Sequence, residues 1–156
     1  MSNDARFEDG GETPINLGAL DVSDLEILSS LVQDAVFPIT EMRWLVRERQ
    51  LAFLINRFRW EDPRGARAAP ERVRSVLVIS EVERVSSQGV DRNDHDTILS
   101  LLSLSFEAGE DGTGAVLLTL AGDGAIRAEV EALDVRLRDV TRPYSAPSGK
   151  APHHEV

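Results

Sequence analysis

The first regular pattern along the chain is an apolar stripe that recurs every three or four residues. This spacing places the side chains on one face of an α-helix, and it therefore predicts a packing helix. Asp21 or Ser23 can cap the start of this helix, and Pro38 is expected to end it. The stripe consists of Leu25, Leu28, Leu31, Val32 and Val36.

Beyond Pro38 the period of the apolar residues changes to two. Alternation runs through residues 42–47 and again from Leu51 to Trp60, with a short polar turn between the two runs. This pattern is typical of two β-strands joined as a hairpin. We expect the aromatic side chains of the hairpin to face the core and its arginines to face solvent.

The remainder of the chain predicts further strands separated by polar loops. A run rich in valine and isoleucine, residues 72–86, predicts a long strand that bends near Ser80 and Glu81, where the alternation slips. Shorter strands are predicted at 102–106 and 116–120. Residues 125–139 fit both a helical stripe and a strand, and a weak internal repeat at an offset of 48 residues favours the strand.

These elements predict an α+β fold. An N-terminal helix packs on an antiparallel β-sheet, or on a partly closed barrel, of six to seven strands. A barrel like the pleckstrin-homology type and an internal duplication are finer alternatives. We expect a disordered N-terminal tail at 1–14, a single globular domain at 15–140, and a disordered C-terminal tail at 141–156.

Composition narrows the class of protein. Of the 156 residues, 42% are hydrophobic and 28% are charged, which is ordinary for a folded domain. The absence of cysteine excludes disulfides and thiolate chemistry. Neither a signal peptide nor an apolar run long enough for a membrane helix is found, so a cytoplasmic location is expected. The net charge of −10 makes nucleic acid an improbable partner.

The charge is unevenly distributed along the chain. Nine arginines and four acids lie between Arg43 and Arg74, which gives that window +5, and the rest of the chain carries −15. Arginine suits bidentate contacts with carboxylate or phosphate. We therefore predict that Arg43, Arg57 and Arg59 bind a ligand or partner on an arginine-rich sheet face. The alternative is that these arginines only balance nearby acids.

One loop carries the residue types of a metal site. Residues 91–96 contain three aspartates and His95, but the loop lacks the glycine and glutamate spacing of an EF-hand. The alternative is a solvated loop whose aspartates accept local backbone N–H groups. Because His95 is the one histidine of the predicted domain and no nucleophile motif is present, no catalytic residue, metal ligand or cofactor is assigned.

Several short segments of the chain form a characteristic series, with residues 56–61 as the most specific of them. They are Leu17–Asp21, Leu31–Val36, Arg43–Leu45, Asn56–Glu61, Gly89–Arg92, Leu99–Leu102 and Gly124–Arg127. In this order they resemble a family of small alphaproteobacterial proteins, the domain of unknown function DUF2948. The resemblance implies a bacterial cytoplasmic protein and assigns no activity, cofactor or catalytic residue.

The leading functional hypothesis is a non-catalytic interaction or adaptor domain. Its arginine face would engage an acidic protein partner or a second copy of the chain, as a homodimer. A module that binds a small anionic ligand through Arg43, Arg57 and Arg59 is the second hypothesis. The third is an enzyme with an acidic or metal-binding loop at 91–96, and the sequence favours it least.

Overall fold

The computed structural model describes residues 14–61 and 71–145. Within these residues the chain forms one α-helix, α1, one short 3-10 turn, Ile39–Glu41, and eleven β-strands. The helix spans Val22–Leu31. The strands are β1 (Asn16–Ala19), β2 (Val36–Pro38), β3 (Met42–Leu45), β4 (Gln50–Phe58), β5 (Glu71–Ile79), β6 (Val82–Gln88), β7 (Ile98–Ala108), β8 (Gly114–Leu120), β9 (Ala125–Val130), β10 (Val135–Asp139) and β11 (Tyr144–Ser145).

Helix α1 begins where the sequence predicts and ends earlier. The Asp21 side chain accepts a hydrogen bond from the Asp24 N–H, which makes Asp21 the N-cap. Leu25, Leu28 and Leu31 are buried, which confirms the apolar stripe. The helix stops at Leu31, however, and the chain turns through Asp34, which has a φ of 65°. Pro38 therefore lies in β2 and does not end the helix.

The strands form an antiparallel sheet in two halves. The first half runs in the order β1, β10, β5, β4, β2, with β3 on β4 and β11 on β5. The second half runs β7, β8, β9, β6, and the start of β7 joins the two by pairing with β2. Among the described strands the order has two free ends, at β1 and β6, so this sheet is open. The α+β class with a mainly antiparallel sheet is confirmed.

Three local predictions have clear outcomes. The long strand predicted at 72–86 divides into β5 and β6, and Glu81, with a φ of 58°, lies at the bend. The ambiguous segment at 125–139 is extended, as favoured, although it forms two strands, β9 and β10. The six to seven predicted strands compare with eleven observed, because four strands of two to four residues, β1, β2, β3 and β11, add to seven longer ones.

The folded part extends past its predicted C-terminal boundary. The backbone N–H of Arg74 donates to the Thr141 hydroxyl oxygen, and Tyr144 pairs with Arg72 in the ladder between β11 and β5. Residues 144–145 therefore belong to the sheet, beyond the predicted domain boundary at 140. Residues 1–13 and 146–156 of the predicted tails lie outside the described residues, as do residues 62–70.

One hydrophobic core holds the two halves together. Its buried residues come from α1, from the first half, such as Phe53 and Leu77, and from the second half, such as Val116 and Ile126. Phe37 and Phe53 pack edge to face, with ring centroids 5.3 Å apart. No helix in the described part of the chain is long and apolar enough to cross a membrane.

Candidate functional site

The structure places the three predicted binding arginines on different sides of the sheet. Arg43 lies on β3 and is exposed, whereas Arg57 is fully buried and Arg59 is 7% exposed. Trp44 is half-buried and packs against the core, Phe58 is buried, and Trp60 is exposed. The prediction that Arg57 and Arg59 face solvent is therefore wrong, although the alternation along each strand is correct.

The register of the hairpin explains this inversion. A four-residue turn makes Leu45 pair with Gln50, and Trp44 consequently pairs with Leu51. Directly paired residues point to the same side of a sheet, so the even-numbered side of β3 continues into the odd-numbered side of β4. Trp44 and Arg57 thus lie on the core side together, and Arg43 lies on the outer side.

Arg57 is satisfied entirely by groups of this chain. Its guanidinium makes a bidentate ion pair with the Glu61 carboxylate, with both N···O distances 2.9 Å. It also donates to both Asp139 carboxylate oxygens at 3.0 Å, to the Ser75 hydroxyl at 3.1 Å and to the Phe58 carbonyl at 3.1 Å. All five N–H donors of a guanidinium can be used in such an arrangement. Arg57 therefore serves the fold.

The pKa shifts in this cluster follow from burial and charge. Burial alone would lower the pKa of Arg57, but the hydrogen bonds that Arg57 donates to Glu61 and the charges of Asp139 and Glu61 outweigh it and raise the pKa. Burial alone would raise the pKa of Glu61, but the hydrogen bond and charge of Arg57 outweigh it and lower the pKa. Both groups are held in their charged forms.

Arg59 extends the same cluster towards the start of β5. One of its guanidinium nitrogens lies 2.6 Å from a Glu71 carboxylate oxygen, and its Nε lies 3.8 Å from Glu61. Together with Arg57 and Asp139 these residues form what we call the core-side cluster: Arg57, Arg59, Glu61, Glu71 and Asp139. The alternative in which the hairpin arginines balance acids of the same chain describes Arg57 and Arg59 correctly.

A different set of arginines lies on the outer side of the first half-sheet. Because paired residues share a side, the register defines this surface as rows across the strands. The first row is Gly18, Arg136, Val78, Ala52 and Arg43. The second row is Asn16, Arg138, Val76 and Leu54. In the third row Arg74 lies opposite Asn56, and in the fourth Arg72 lies between Tyr144 and Phe58.

These four rows contain five arginines and no carboxylate. Arg72 is engaged locally, since its guanidinium carbon lies 4.0 Å from the Phe58 ring centroid and it donates to Asn56. The other four form what we call the outer arginine face: Arg43, Arg74, Arg136 and Arg138. Within residues 14–61 and 71–145, no carboxylate forms an ion pair with any of these four, and Arg136 has only a 3.5 Å contact with the Asn16 side chain.

The outer arginine face has an apolar centre. Val76, Val78, Ala52 and Leu54 are half-buried between the four arginines, whose own side chains are exposed. Arg74 lies diagonally across from Arg138, at about 7–8 Å between Cα atoms. Arg136 lies two residues before Arg138 on the same side of β10, at about 7 Å. Three like charges therefore lie close together around aliphatic side chains.

The sequence contains a signal for this surface, but it lies mostly outside the hairpin. Arg136 and Arg138 alternate with Leu137 in the ambiguous C-terminal segment, and Arg74 alternates with Val73 and Ser75. Once both segments are recognised as strands, the alternation puts these arginines on one side. Only the strand order shows that β10, β5, β4 and β3 are neighbours and that Arg43 joins them.

The loop at 91–96 adopts the solvated arrangement. The Asp91 side chain accepts from the Asn93 N–H, and the Asp94 side chain accepts from the Asp96 N–H, both at 3.0 Å. These are local turns in which the carboxylates satisfy backbone donors. Among the described residues, no group of three or more potential ligands is placed to hold a metal ion.

Comparisons with known proteins identify one family. No curated protein and no solved structure matches the chain. The family model described as a protein of unknown function, DUF2948, matches residues 15–154, which include both the core-side cluster and the outer arginine face. Since this match covers most of the chain, the protein belongs to the DUF2948 family.

Proposed function

We propose that this protein is a non-catalytic interaction domain that binds an acidic protein surface through the outer arginine face. The observation that carries the proposal is the absence of any carboxylate from the four rows that hold five arginines. This absence is notable in a chain whose net charge is −10. A cluster of cations without counter-charges is unfavourable in the isolated domain, and an acidic partner would relieve it.

The second half-sheet shows what an ordinary outer face of this molecule contains. There Arg127 lies 2.7 Å from Glu107, and Arg84 lies 3.5 Å from Glu129. In the ladder, Glu107, Ala115, Glu129 and Arg84 form one row across the strands. Each arginine of this surface thus has a carboxylate within reach. The chain is therefore rich enough in acids to neutralise a sheet face, and the first half-sheet differs in this respect.

The shape and chemistry of the surface favour a polypeptide partner. Carboxylates accept bidentate hydrogen bonds from guanidinium groups, and the half-buried valines and leucine between the arginines offer apolar contact. A nucleic acid would meet the long-range repulsion of the acidic remainder of the chain. We therefore propose a protein surface that presents carboxylates around apolar side chains, and a second copy of this chain is one protein that could supply it.

The test uses a defined acidic probe and charge reversal on each face. A short labelled peptide of alternating glutamate and valine should bind the wild-type protein at low salt, as measured by fluorescence anisotropy. The double variant Arg74→Glu, Arg138→Glu should lose at least about tenfold in affinity, because attractive contacts become repulsive. The matched double variant Arg84→Glu, Arg127→Glu on the second half-sheet, which changes the net charge by the same amount, should bind like the wild type.

Three outcomes distinguish the partners. Equal loss of binding in the Arg84→Glu, Arg127→Glu control would show that net charge alone drives association and would contradict a dedicated face. Tighter binding of single-stranded DNA than of the peptide would favour nucleic acid. A mass that doubles at low salt in light scattering, and returns to a monomer in the Arg74→Glu, Arg138→Glu variant, would identify a second copy of the chain as the partner.

Finer statements about the fold and location remain proposals. We propose a relation to the pleckstrin-homology type of barrel and an internal duplication, which the structure of a relative would test. We also propose a cytoplasmic location.

A further inference from the structure

A groove opens where the two halves of the sheet fail to meet. Among the strands of residues 14–61 and 71–145, β3 pairs only with β4 and β6 pairs only with β9, so each has an edge without a neighbouring described strand. Met42 and Trp44 of β3 form one wall of the groove and Val85 of β6 forms another. Its volume is about 280 Å³, which is near the lower end of the range for small-molecule sites.

The floor of this groove belongs to the hydrophobic core. Leu51 is fully buried and Ile39 is 6% exposed, yet both line the groove. Met42, Trp44 and Val85 are only partly buried and pack against the same core. The groove thus gives an apolar ligand access to side chains that a closed barrel would have covered.

At one end of the groove, the turn between β3 and β4 is bonded to the start of β6. The Val82 N–H donates to the Arg49 carbonyl at 2.9 Å, and the Arg49 guanidinium pairs with the Glu81 and Glu131 carboxylates. Arg49 and Glu81 both have positive φ angles, which are uncommon for such residues. These contacts hold the β3 and β6 edges in position, so the groove is a preformed feature.

The rim of the groove carries hydrogen-bond donors. The loop at 91–96 contributes Arg92 and His95 to the lining, and the 3-10 turn contributes Thr40. Two of the three aspartates of this loop, Asp91 and Asp94, accept backbone N–H groups in its local turns. Across the described part of the chain, neither Arg92 nor His95 has a hydrogen bond or an ion pair. Both side chains are exposed and available to a ligand.

From this arrangement we infer a second binding site, which takes a small molecule with an apolar body and one anionic group. The apolar body lies against Trp44, Met42 and Val85, and the carboxylate or phosphate accepts hydrogen bonds from Arg92 and His95. This site is separate from the outer arginine face, because Trp44 lies on the core side of β3 and Arg43 lies on the outer side. The loop that resembles a metal site in sequence thereby serves an anion.

The groove contains its own reporter. The chain has two tryptophans, Trp44 in the groove and Trp60, whose indole N–H donates to the Gln33 carbonyl. In a Trp60→Phe background, emission therefore reports on Trp44 alone. Circular dichroism of the background variant establishes that it is folded before any titration.

The experiment compares four compounds by titration of Trp44 emission. Phenyl phosphate and phenylacetate each combine an aromatic body with one anionic group. Benzyl alcohol has the body without the charge, and inorganic phosphate has the charge without the body. The two aromatic anions should give a saturable change, and the other two should bind at least about tenfold more weakly because each retains one half of the recognition. The stronger of the two anions identifies the preferred charged group.

Substitutions separate the groove from general charge effects. Arg92→Ala should weaken the binding of the preferred anion about tenfold or more, and it changes an exposed loop residue that the fold does not use. Arg127→Ala, on the second half-sheet and outside both proposed binding sites, removes the same charge and should leave binding unchanged. No saturable change with any compound, equal binding of benzyl alcohol, or equal loss in the two variants would each overturn the inference.

Discussion

The two sides of the first half-sheet place arginine in opposite environments, buried and ion-paired on one side and exposed on the other. On the core side, Arg57 is fully buried and is surrounded by Glu61, Asp139, Ser75 and a backbone carbonyl. On the outer side, Arg74, Arg136 and Arg138 lie close together, and no carboxylate of residues 14–61 and 71–145 forms an ion pair with them. Arginine therefore forms ion pairs that hold the fold together on one side, and it is exposed without an ion pair on the other. The distribution of charge along the sequence does not distinguish the two roles, but the direction of each side chain does.

The largest loss of stability is expected when Arg57, the central cation of the core-side cluster, is replaced. Arg57→Met keeps an unbranched side chain of similar length but leaves Asp139, with 3% of its side chain exposed, and Glu61 without their main partner. Loss of one partner from a buried ion pair costs about 3–5 kcal/mol. The free energy of unfolding in urea should fall by that amount.

The matched variant on the outer side is Arg138→Met, which should change the free energy of unfolding by less than about 0.5 kcal/mol. Similar losses in the two variants would contradict the assignment of separate roles to the two sides. If Arg57→Met does not fold, the milder Asp139→Asn variant should still be clearly less stable than Arg138→Met.

A smaller effect is expected from one carboxylate of the cluster, and it should depend on pH. Burial opposes ionisation of Glu61, but Arg57 outweighs burial and lowers the Glu61 pKa below its ordinary value of about 4.5. A carboxyl with a lowered pKa in the folded state stabilises the protein above the unfolded pKa, and this contribution disappears as the pH falls through the folded pKa. Glu61→Gln should therefore cost about 1–3 kcal/mol at neutral pH.

The test of this prediction is the stability difference between wild type and Glu61→Gln as a function of pH. The difference should stay constant from neutral pH to about pH 5 and then shrink as the solution becomes more acidic than the ordinary pKa. Urea unfolding at several pH values measures it. A difference that grows on acidification would mean that the Glu61 pKa is raised, which is inconsistent with its contacts to Arg57.

The elements of the fold could largely be predicted from the apolar pattern, but the use of the arginines could not. Helix α1, the alternation in β4 and the bend at Glu81 follow from local spacing. Whether Arg57 points inward depends on the pairing of Leu45 with Gln50, and a shift by one residue exchanges the two sides of a strand. The partner Asp139 lies 82 residues from Arg57, so no local pattern reveals the pair.

The outer arginine face depends even more on long-range order. Arg43 comes from β3, Arg74 from β5 and Arg138 from β10, and the chain gives no sign that these strands lie side by side. The prediction of an arginine-rich sheet face correctly identified Arg43 as exposed, but it assigned Arg57 and Arg59 to a surface whose other members are distant in sequence. The sequence shows which residues of one strand point to the same side. Which strands are neighbours in the sheet is known only from the structure.

The smallest predicted effect has the opposite sign and concerns the outer face alone. Arg74 and Arg138 are diagonal neighbours of like charge, so the double variant Arg74→Met, Arg138→Met should be slightly more stable than the wild type at low salt. The expected gain is a few tenths of a kcal/mol, up to about 0.5, because like charges across strands are mildly destabilising. The methionines place unbranched aliphatic side chains beside the half-buried Val76 and Val78.

Salt separates this electrostatic gain from a change in packing. Screening over about 3 Å at 1 M salt, against about 10 Å at 0.1 M, should remove most of the stability difference between the double variant and the wild type. Arg84→Met, which breaks the exposed pair with Glu129 on the second half-sheet, should instead lose a little stability at low salt. A loss of more than about 1 kcal/mol in the double variant, at either salt concentration, would mean that these arginines hold the sheet together, and the contrast between its two sides would then disappear.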